Sequence, residues 1–222
     1  TVGNVIIDGG KRFSAEELMP RVRTTSGTTY SSTLEDADIK RISAKYEPLG
    51  YLDLRCFPAH EVNTDTHIVD ITFRLYEGAP SRIRDVYIVG NRITKDHVIR
   101  RELAIHPGDL GDSAKVRASK NRLDSLNYFE TVAISPISTE VEGLKDLRVE
   151  LAEKRTGQFM VGAGFSSEDS LLGYVEVAQS NFDIGDWPHL RGGGQKMRVR
   201  AQLGTERHDI LVSFIEPWWL DR

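Results

Sequence analysis

The chain has 222 residues, 39% hydrophobic and 28% charged, with a formal net charge of −4. That mix excludes global disorder, and with Lys and Arg spread out rather than set in a basic stripe it argues against nucleic acid as a partner. No apolar run approaches the roughly 20 residues of a spanning helix, whereas a transmembrane β-barrel, whose half-polar strands need only about 9–11 residues, stays open.

Cys56 is the only cysteine, so no intrachain disulfide is expected. The chain starts inside an apparent strand, TVGNVIIDG, with no signal peptide or initiator Met. It therefore reads as an excised fragment.

The first two-thirds contain one unit twice. Val2, Val5, Ile7 and Gly9 open the first copy, and Ile83, Val86, Ile88 and Gly90 open the second at the same spacing. Each predicts a strand ending in a glycine turn. A short helix follows. Ser14 with Glu17 forms a capping box in the first copy, and Thr94 takes the N-cap place in the second. Pro20 keeps the first of these helices short or irregular at its end. After turns at Ser26-Gly27 and Pro107-Gly108-Asp109, longer helices follow. Ile39, Ile42, Tyr46 and Leu49 share one face, as do Val116, Ser119, Leu123 and Leu126, with Ser119 the weak member. Gly50 and Asn127 end them as left-handed caps. Two strands close each copy, about Leu52–Val62 with His67–Glu77 and about Thr131–Thr139 with Leu144–Glu153, alternating one buried and one wet face. Each copy reads β-α-α-β-β, two helices over one face of a three-stranded sheet.

After Arg155 helical periodicity stops. Four alternating segments follow, around Gln158–Phe165, Leu171–Ala178, Lys196–Leu203 and Ile210–Ile215, with tight links at Ser167-Glu168-Asp169 and Gly204-Thr205-Glu206. The third sets Met197, Val199, Ala201 and Leu203 against Lys196, Arg198 and Arg200. A soluble sandwich strand or a barrel strand with lipid outside and a wet lumen has this pattern. Trp187, Trp218 and Trp219 lie at segment ends, where an aromatic belt would place them.

Other motifs are plainer. Arg191-Gly-Gly-Gly-Gln-Lys196 lacks the spacing and the terminal Lys-Ser/Thr of a phosphate loop and reads as a flexible turn. Cys56, His60, Asp65 and His67 match no standard metal-ligand spacing. His106 reads as a solvated turn residue, and Glu16-Glu17 and Glu35-Asp36 as acids favoured in first helical turns. No nucleophile with a base and an orienting group is present, so no enzyme and no cofactor are expected. Glu216-Pro217-Trp218-Trp219 is either a strand terminator or a membrane-edge anchor.

The order of these features resembles the BamA (YaeT) family of outer-membrane assembly factors. IRDVYIVGNRITKDHVIRREL, then GD, then a helix ending in LDSLNYFETV, is similar to that family's last POTRA (polypeptide-transport-associated) domain. VELAEKRTGQFMVGAGFSSEDSLLGYVEVAQSNF is similar to its entry into the barrel, and SFIEPWWLD to the end of an early barrel strand.

The resemblance implies an α+β chain: two tandem βααββ POTRA-like domains over 1–79 and 80–155, then four antiparallel strands of a truncated transmembrane β-barrel over 156–222. It implies insertion of β-barrel proteins into the outer membrane without ATP. The POTRA domains would be periplasmic, and the partners would be unfolded outer-membrane clients, accessory assembly lipoproteins and the bilayer. Clients would add a strand at sheet edges marked by Leu54, Cys56, Val132 and Ile134. Phe159, Val161, Gly162 and Gly164 would lie at the barrel seam, Arg155 and Gly157 at the hinge, and Glu216, Pro217, Trp218 and Trp219 at the membrane edge. Exposed strands would make the fragment self-associate. TamA-like and two-partner-secretion transporters share the architecture. A soluble periplasmic scaffold is the rival, in which Phe159, Val161, Met197, Val199, Val212 and Phe214 would pack into an internal core.

Overall fold

The computed structural model describes residues 1–166, 170–204 and 208–219; the expected links at Ser167-Glu168-Asp169 and Thr205-Glu206 lie outside them. In chain order the first repeat runs β1 (Val2–Asp8), α1 (Ala15–Leu18), α2 (Ser32–Tyr46), β2 (Arg55–Asn63) and β3 (Ile68–Tyr76). The second runs β4 (Arg82–Val89), α3 (Asp96–Arg100), α4 (Ser113–Leu126), β5 (Phe129–Ser138) and β6 (Leu144–Glu153). Then come β7 (Gly157–Ser166), β8 (Ser170–Phe182), β9 (Gln195–Gly204) and β10 (His208–Ile215).

The sheet orders are β1-β3-β2, β4-β6-β5 and β10-β9-β8-β7. In the first sheet β1 pairs parallel and β2 antiparallel with β3. The expected alternation of β3 buries Ile71, Phe73 and Leu75 with Val2, Ile7, Leu18, Ile42 and Tyr46. In the second repeat Leu147, Val149 and Leu151 of β6 are likewise buried.

Contacts divide the chain into two compact units, one of Thr1–Val86, Ile105–Arg117 and Ser135–Leu147, the other of Tyr87–Ala104, Ala118–Ile134 and Arg148–Arg222. The second repeat is thus divided in sequence between them. In the first unit Lys145 pairs with Asp53 at 2.7 Å and Arg117 with Glu47 at 2.9 Å.

Local signals act largely as the residues predict. Ser14 and Glu17 form the capping box. Pro20 sits in a 3-10 turn, Met19–Arg21, directly after α1. Gly50 and Asn127 both have positive φ, 93° and 61°. Ser119, the polar residue on the buried face of α4, is fully buried and accepts a hydrogen bond from the Ala104 N–H at 2.8 Å, which removes the cost of its place there.

Three details differ. Thr94 is not the N-cap of α3; Lys95 is, without a side-chain cap. The Thr94 hydroxyl is engaged by Asn181 instead. Glu35 does more than favour the helix dipole: it is buried and meets His60 Nε2 at 2.6 Å. Leu54 lies one residue before β2 rather than in it.

Candidate functional site

The four-stranded sheet has two chemically different faces, and register fixes both. Phe159 pairs with Val177, Val177 with Val199, and Val199 with Val212, an unbroken apolar row across every strand. Val161, Val175, Ala201 and Ile210 form the next row. No described element covers these rows: Phe159 is 70% exposed, Val161 66%, Val212 61% and Ile210 78%. The opposite face aligns Met160, Glu176, Arg200 and Leu211, then Gly162, Tyr174, Gln202 and Asp209. There Glu176 is buried with Arg198 Nε at 3.3 Å, and the Arg200 guanidinium lies 4.4 Å from the Tyr174 ring centroid.

Phe159, Val161, Gly162 and Gly164, the residues expected at a seam, sit on β7, an edge strand of this sheet. At Gly162 the Tyr174 ring fills the space a side chain would take, 2.4 Å from an added Cβ, so a larger residue would have to displace the ring. An aromatic laid over a strand glycine covers its bare backbone. Gly164 has no such constraint, since its nearest neighbour to an added Cβ would be Leu172 at 3.9 Å.

Of the edge candidates, Cys56 lies in β2 and Val132 and Ile134 in β5, each strand at the end of its sheet order, while Leu54 precedes β2. Cys56 is half-buried against the first core, and burial pushes its thiol up to about 11. Val132 is buried and Ile134 half-buried, so they offer main chain rather than free side chains. Each edge carries one proline, Pro58 in β2 and Pro136 in β5, a residue that breaks a continuous donor row and blunts an edge.

Within the second unit, the segment 93–102 and the loop between β8 and β9 interlock. Asn181 is the pivot. Its Nδ2 donates to Thr94 Oγ1 at 3.0 Å and its Oδ1 accepts from the Gly194 N–H at 2.9 Å. The Lys95 N–H donates to the Gly192 carbonyl at 2.9 Å, Tyr128 Oη to the Gly194 carbonyl at 3.2 Å, and Lys95 Nζ pairs with Asp183. Gly192 has φ +103°, and a Cβ on it would lie 2.2 Å from the Ile93 carbonyl oxygen. The glycine triplet, expected as a flexible turn, is a docked loop whose glycines permit this approach.

The terminal motif joins the same structure. Trp218 Nε1 donates to Glu102 Oε1 at 3.1 Å, with Arg101 5.3 Å from the Trp218 ring centroid. Glu216 accepts from Gln195 Nε2 at 2.8 Å and from the Trp218 N–H at 3.2 Å. Trp219 and Trp187 remain exposed. The link holding Arg155 is short and tied at both sides: the Lys154 N–H donates to the Tyr128 carbonyl at 3.0 Å, and the Ser180 N–H to the Thr156 carbonyl at 3.3 Å. Gly157 faces open space apart from Gln179, 3.8 Å from an added Cβ.

One repeated device escaped sequence reasoning. Glu77 accepts from the Lys11 and Arg12 N–H groups, and Glu153 from those of Arg92, Ile93 and Thr94. Each glutamate clamps the loop after the glycine that ends the repeat's first strand. The signal was present: both acids continue the buried parity of their strands, after Ile71, Phe73 and Leu75 and after Leu147, Val149 and Leu151. Cys56, His60, Asp65 and His67 are not gathered as ligands, and no group of three or more His, Cys, Asp or Glu able to hold a metal occurs among the described residues.

The POTRA family model, described as surface antigen variable number repeat, matches residues 1–78 and again 81–154. The chain is 28% identical over 220 residues to the outer membrane protein assembly factor BamA of Nitratidesulfovibrio vulgaris, covering 97% of this chain and 27% of that protein. It is 26% identical to BamA of Neisseria meningitidis serogroup B, covering 98% of this chain and 26% of that protein. It therefore spans about a quarter of the length of these relatives.

The crystal structure of Haemophilus ducreyi BamA lacking POTRA domains 1–3 shares the fold, with a TM-score of 0.76 at 22% identity over 99% of this chain and 40% of that one. The Haemophilus influenzae BamA POTRA3–5 structure matches with a TM-score of 0.62 at 21% identity, over 68% of this chain and 61% of that one. Two family matches covering more than half of the residues, in the βααββ order read from the sequence, establish that the chain belongs to the POTRA family.

Proposed function

We propose that the chain works in assembling β-barrel proteins into the outer membrane, with 1–79 and 80–155 as periplasmic POTRA domains and 156–222 as the opening strands of a membrane-embedded barrel. What supports this most is the apolar row Phe159, Val177, Val199 and Val212, exposed except at the half-buried Val199 and backed by a face that carries Glu176, Arg198, Arg200 and Gln202. Fully burying one such side chain is worth roughly 1.5–3 kcal/mol. Two rows therefore represent on the order of 10 kcal/mol of unrealised burial, which lipid would supply. A self-contained soluble domain would have packed Phe159, Val161, Met197, Val199, Val212 and Phe214 inward; Phe159, Val161, Val212 and Phe214 are exposed, and Met197 and Val199 are half-buried.

On this reading an unfolded client pairs by main-chain hydrogen bonds with β2 or β5, and its strands are templated at β7. Pro58 and Pro136 limit pairing to the segments beside them, which keeps binding brief and register loose. Accessory lipoproteins are the expected further partners. Arg155 to Gly157 connects the periplasmic and membrane parts as a tied joint rather than a free swivel.

Single cysteines at Val161, Val177 and Gln202, in a Cys56→Ser background and carrying a polarity-sensitive dye, test the reading in lipid vesicles. Dye at Val161 and Val177 should report hydrocarbon, and dye at Gln202 should report water. Aqueous emission at all three would reject membrane embedding. The same vesicles should accelerate folding of an unfolded outer-membrane β-barrel client, and vesicles lacking the protein should not.

A further inference from the structure

Beside the docked loop of the second unit lies a cleft of about 480 Å³ whose wall includes Lys154, Arg155, His189 and Arg191. Its one acid is Glu153, whose carboxylate is already taken by three backbone N–H groups. Arg155 and Arg191 have no ion-pair partner among the described residues. The cleft therefore offers uncompensated guanidinium groups, whose planar forks suit phosphate oxygens.

Through Gly157, Gln179 and His189, which line both, the cleft adjoins an apolar groove of about 410 Å³. Phe159, Val177, Phe182, Leu190, Met197 and Val199 line that groove, three of them from the apolar row across the sheet. At the shared wall Gln179 Oε1 is buried with no hydrogen-bond partner. A buried acceptor of this kind calls for a donor.

We propose that this pair of cavities binds one glycerophospholipid with an anionic, hydroxyl-bearing headgroup. The phosphate sits between Arg155 and Arg191, a headgroup hydroxyl donates to Gln179 Oε1, and an acyl chain lies along the groove. Both volumes suit a ligand of that size, and polar cleft and apolar groove adjoin in the order of a lipid's own parts. The proposal rests on the membrane reading above, because the groove opens on the face assigned to lipid.

The test is native mass spectrometry of the protein extracted from vesicles of mixed phosphatidylglycerol and phosphatidylcholine, after dye at Val161 has reported insertion. One retained phosphatidylglycerol is expected, preferred about tenfold or more over phosphatidylcholine, a factor that one strong charge-assisted contact supplies. The double variant R155Q/R191Q should lose the preference, while the charge-matched R21Q/R122Q should keep it. Gln179→Leu should weaken retention without abolishing insertion.

Insertion with no preference, or equal loss in both double variants, would overturn the lipid site and leave the membrane reading intact. Failure of insertion would remove both. Displacement of the lipid by inorganic phosphate alone would identify a free-anion site and also overturn the proposal.

Discussion

Asn181 and Thr94 are both buried and joined, amide to hydroxyl, by a hydrogen bond of 3.0 Å. Because Asn181 also accepts from the Gly194 N–H, one side chain fastens the β8–β9 loop to the segment before α3. Asn181→Leu keeps the volume and strands both partners. Leaving buried polar groups unpaired costs about 1–3 kcal/mol each, so a loss of about 2–4 kcal/mol is expected. Hydrogen exchange should show faster exchange at Gly192, Gly194 and Lys95, with little change in β1–β3. Unchanged protection at Gly194 would mean that the loop is held by other contacts.

Gly192 makes the same point through sterics. Gly27 and Gly192 both have positive φ, +83° and +103°, but a Cβ on Gly27 meets nothing within 4 Å while one on Gly192 meets the Ile93 carbonyl. Gly27→Ala should therefore cost only the backbone penalty, about 1 kcal/mol. Gly192→Ala should cost several times that and release the loop. Urea midpoints of the two variants, with limited proteolysis of the loop, make the comparison. Equal midpoints would refute the close approach.

These two residues mark where sequence reading ends. The repeat was legible because it rests on local rules: alternation in β3 and β6, the Ser14–Glu17 box, and left-handed caps at Gly50 and Asn127. The two faces of the β7–β10 sheet were legible for the same reason, since a period of two sorts side chains before any partner is known. The docked loop was not legible. Arg191-Gly-Gly-Gly advertises backbone freedom, and nothing local says that Ile93, distant in sequence, and Asn181, on the strand before the loop, use it. Thr94 was misassigned through the same gap: a hydroxyl before a short helix looks like a cap until Asn181 competes for it. For the site, the edge position of β2 and β5 followed from topology, whereas the close packing at Gly162 depended on a Tyr174 ring from the next strand.

Glu153 should make stability depend on acid. Burial pushes its carboxyl up, but the hydrogen bonds from the Thr94 N–H and hydroxyl, then from the Ile93 and Arg92 N–H groups, outweigh burial and hold it below the ordinary glutamate range. A carboxyl depressed in the folded state adds stability that is present above its unfolded pKa, roughly 4.3, and that is lost as pH falls through the folded value. Glu153→Gln keeps an acceptor but no charge. It should be less stable than the parent near neutrality, and the gap should narrow as pH drops below about 4. Urea midpoints at several pH values check this, and a gap constant with pH would contradict the charge-based clamp.

Cys56 gives a probe of the β2 edge. Its thiol is pushed from 9.0 up to about 11 by burial, so its thiolate fraction at mild pH is roughly a hundredth of an ordinary thiol's. Alkylation at pH 8 should be slower than for a peptide thiol by about that factor, and should accelerate with rising pH or when the edge opens. Reaction at the peptide rate would show that the strand does not stay packed on the first core.

Gly162 and Gly164 separate structure from function on β7. Gly162→Val drives a side chain into the Tyr174 ring, which must swing away from Arg200, at a cost of about 1–3 kcal/mol. Tyr174→Ala in the same chain should recover part of that loss. Gly164→Val meets only ordinary contact with Leu172 and suits a strand, so stability should stay within about 0.5 kcal/mol of the parent. If β7 is the strand that clients pair with, Gly164→Val should still slow client folding in vesicles, because a branched side chain thickens an edge that is otherwise bare there. A normal client-folding rate at unchanged stability would remove Gly164 from the seam.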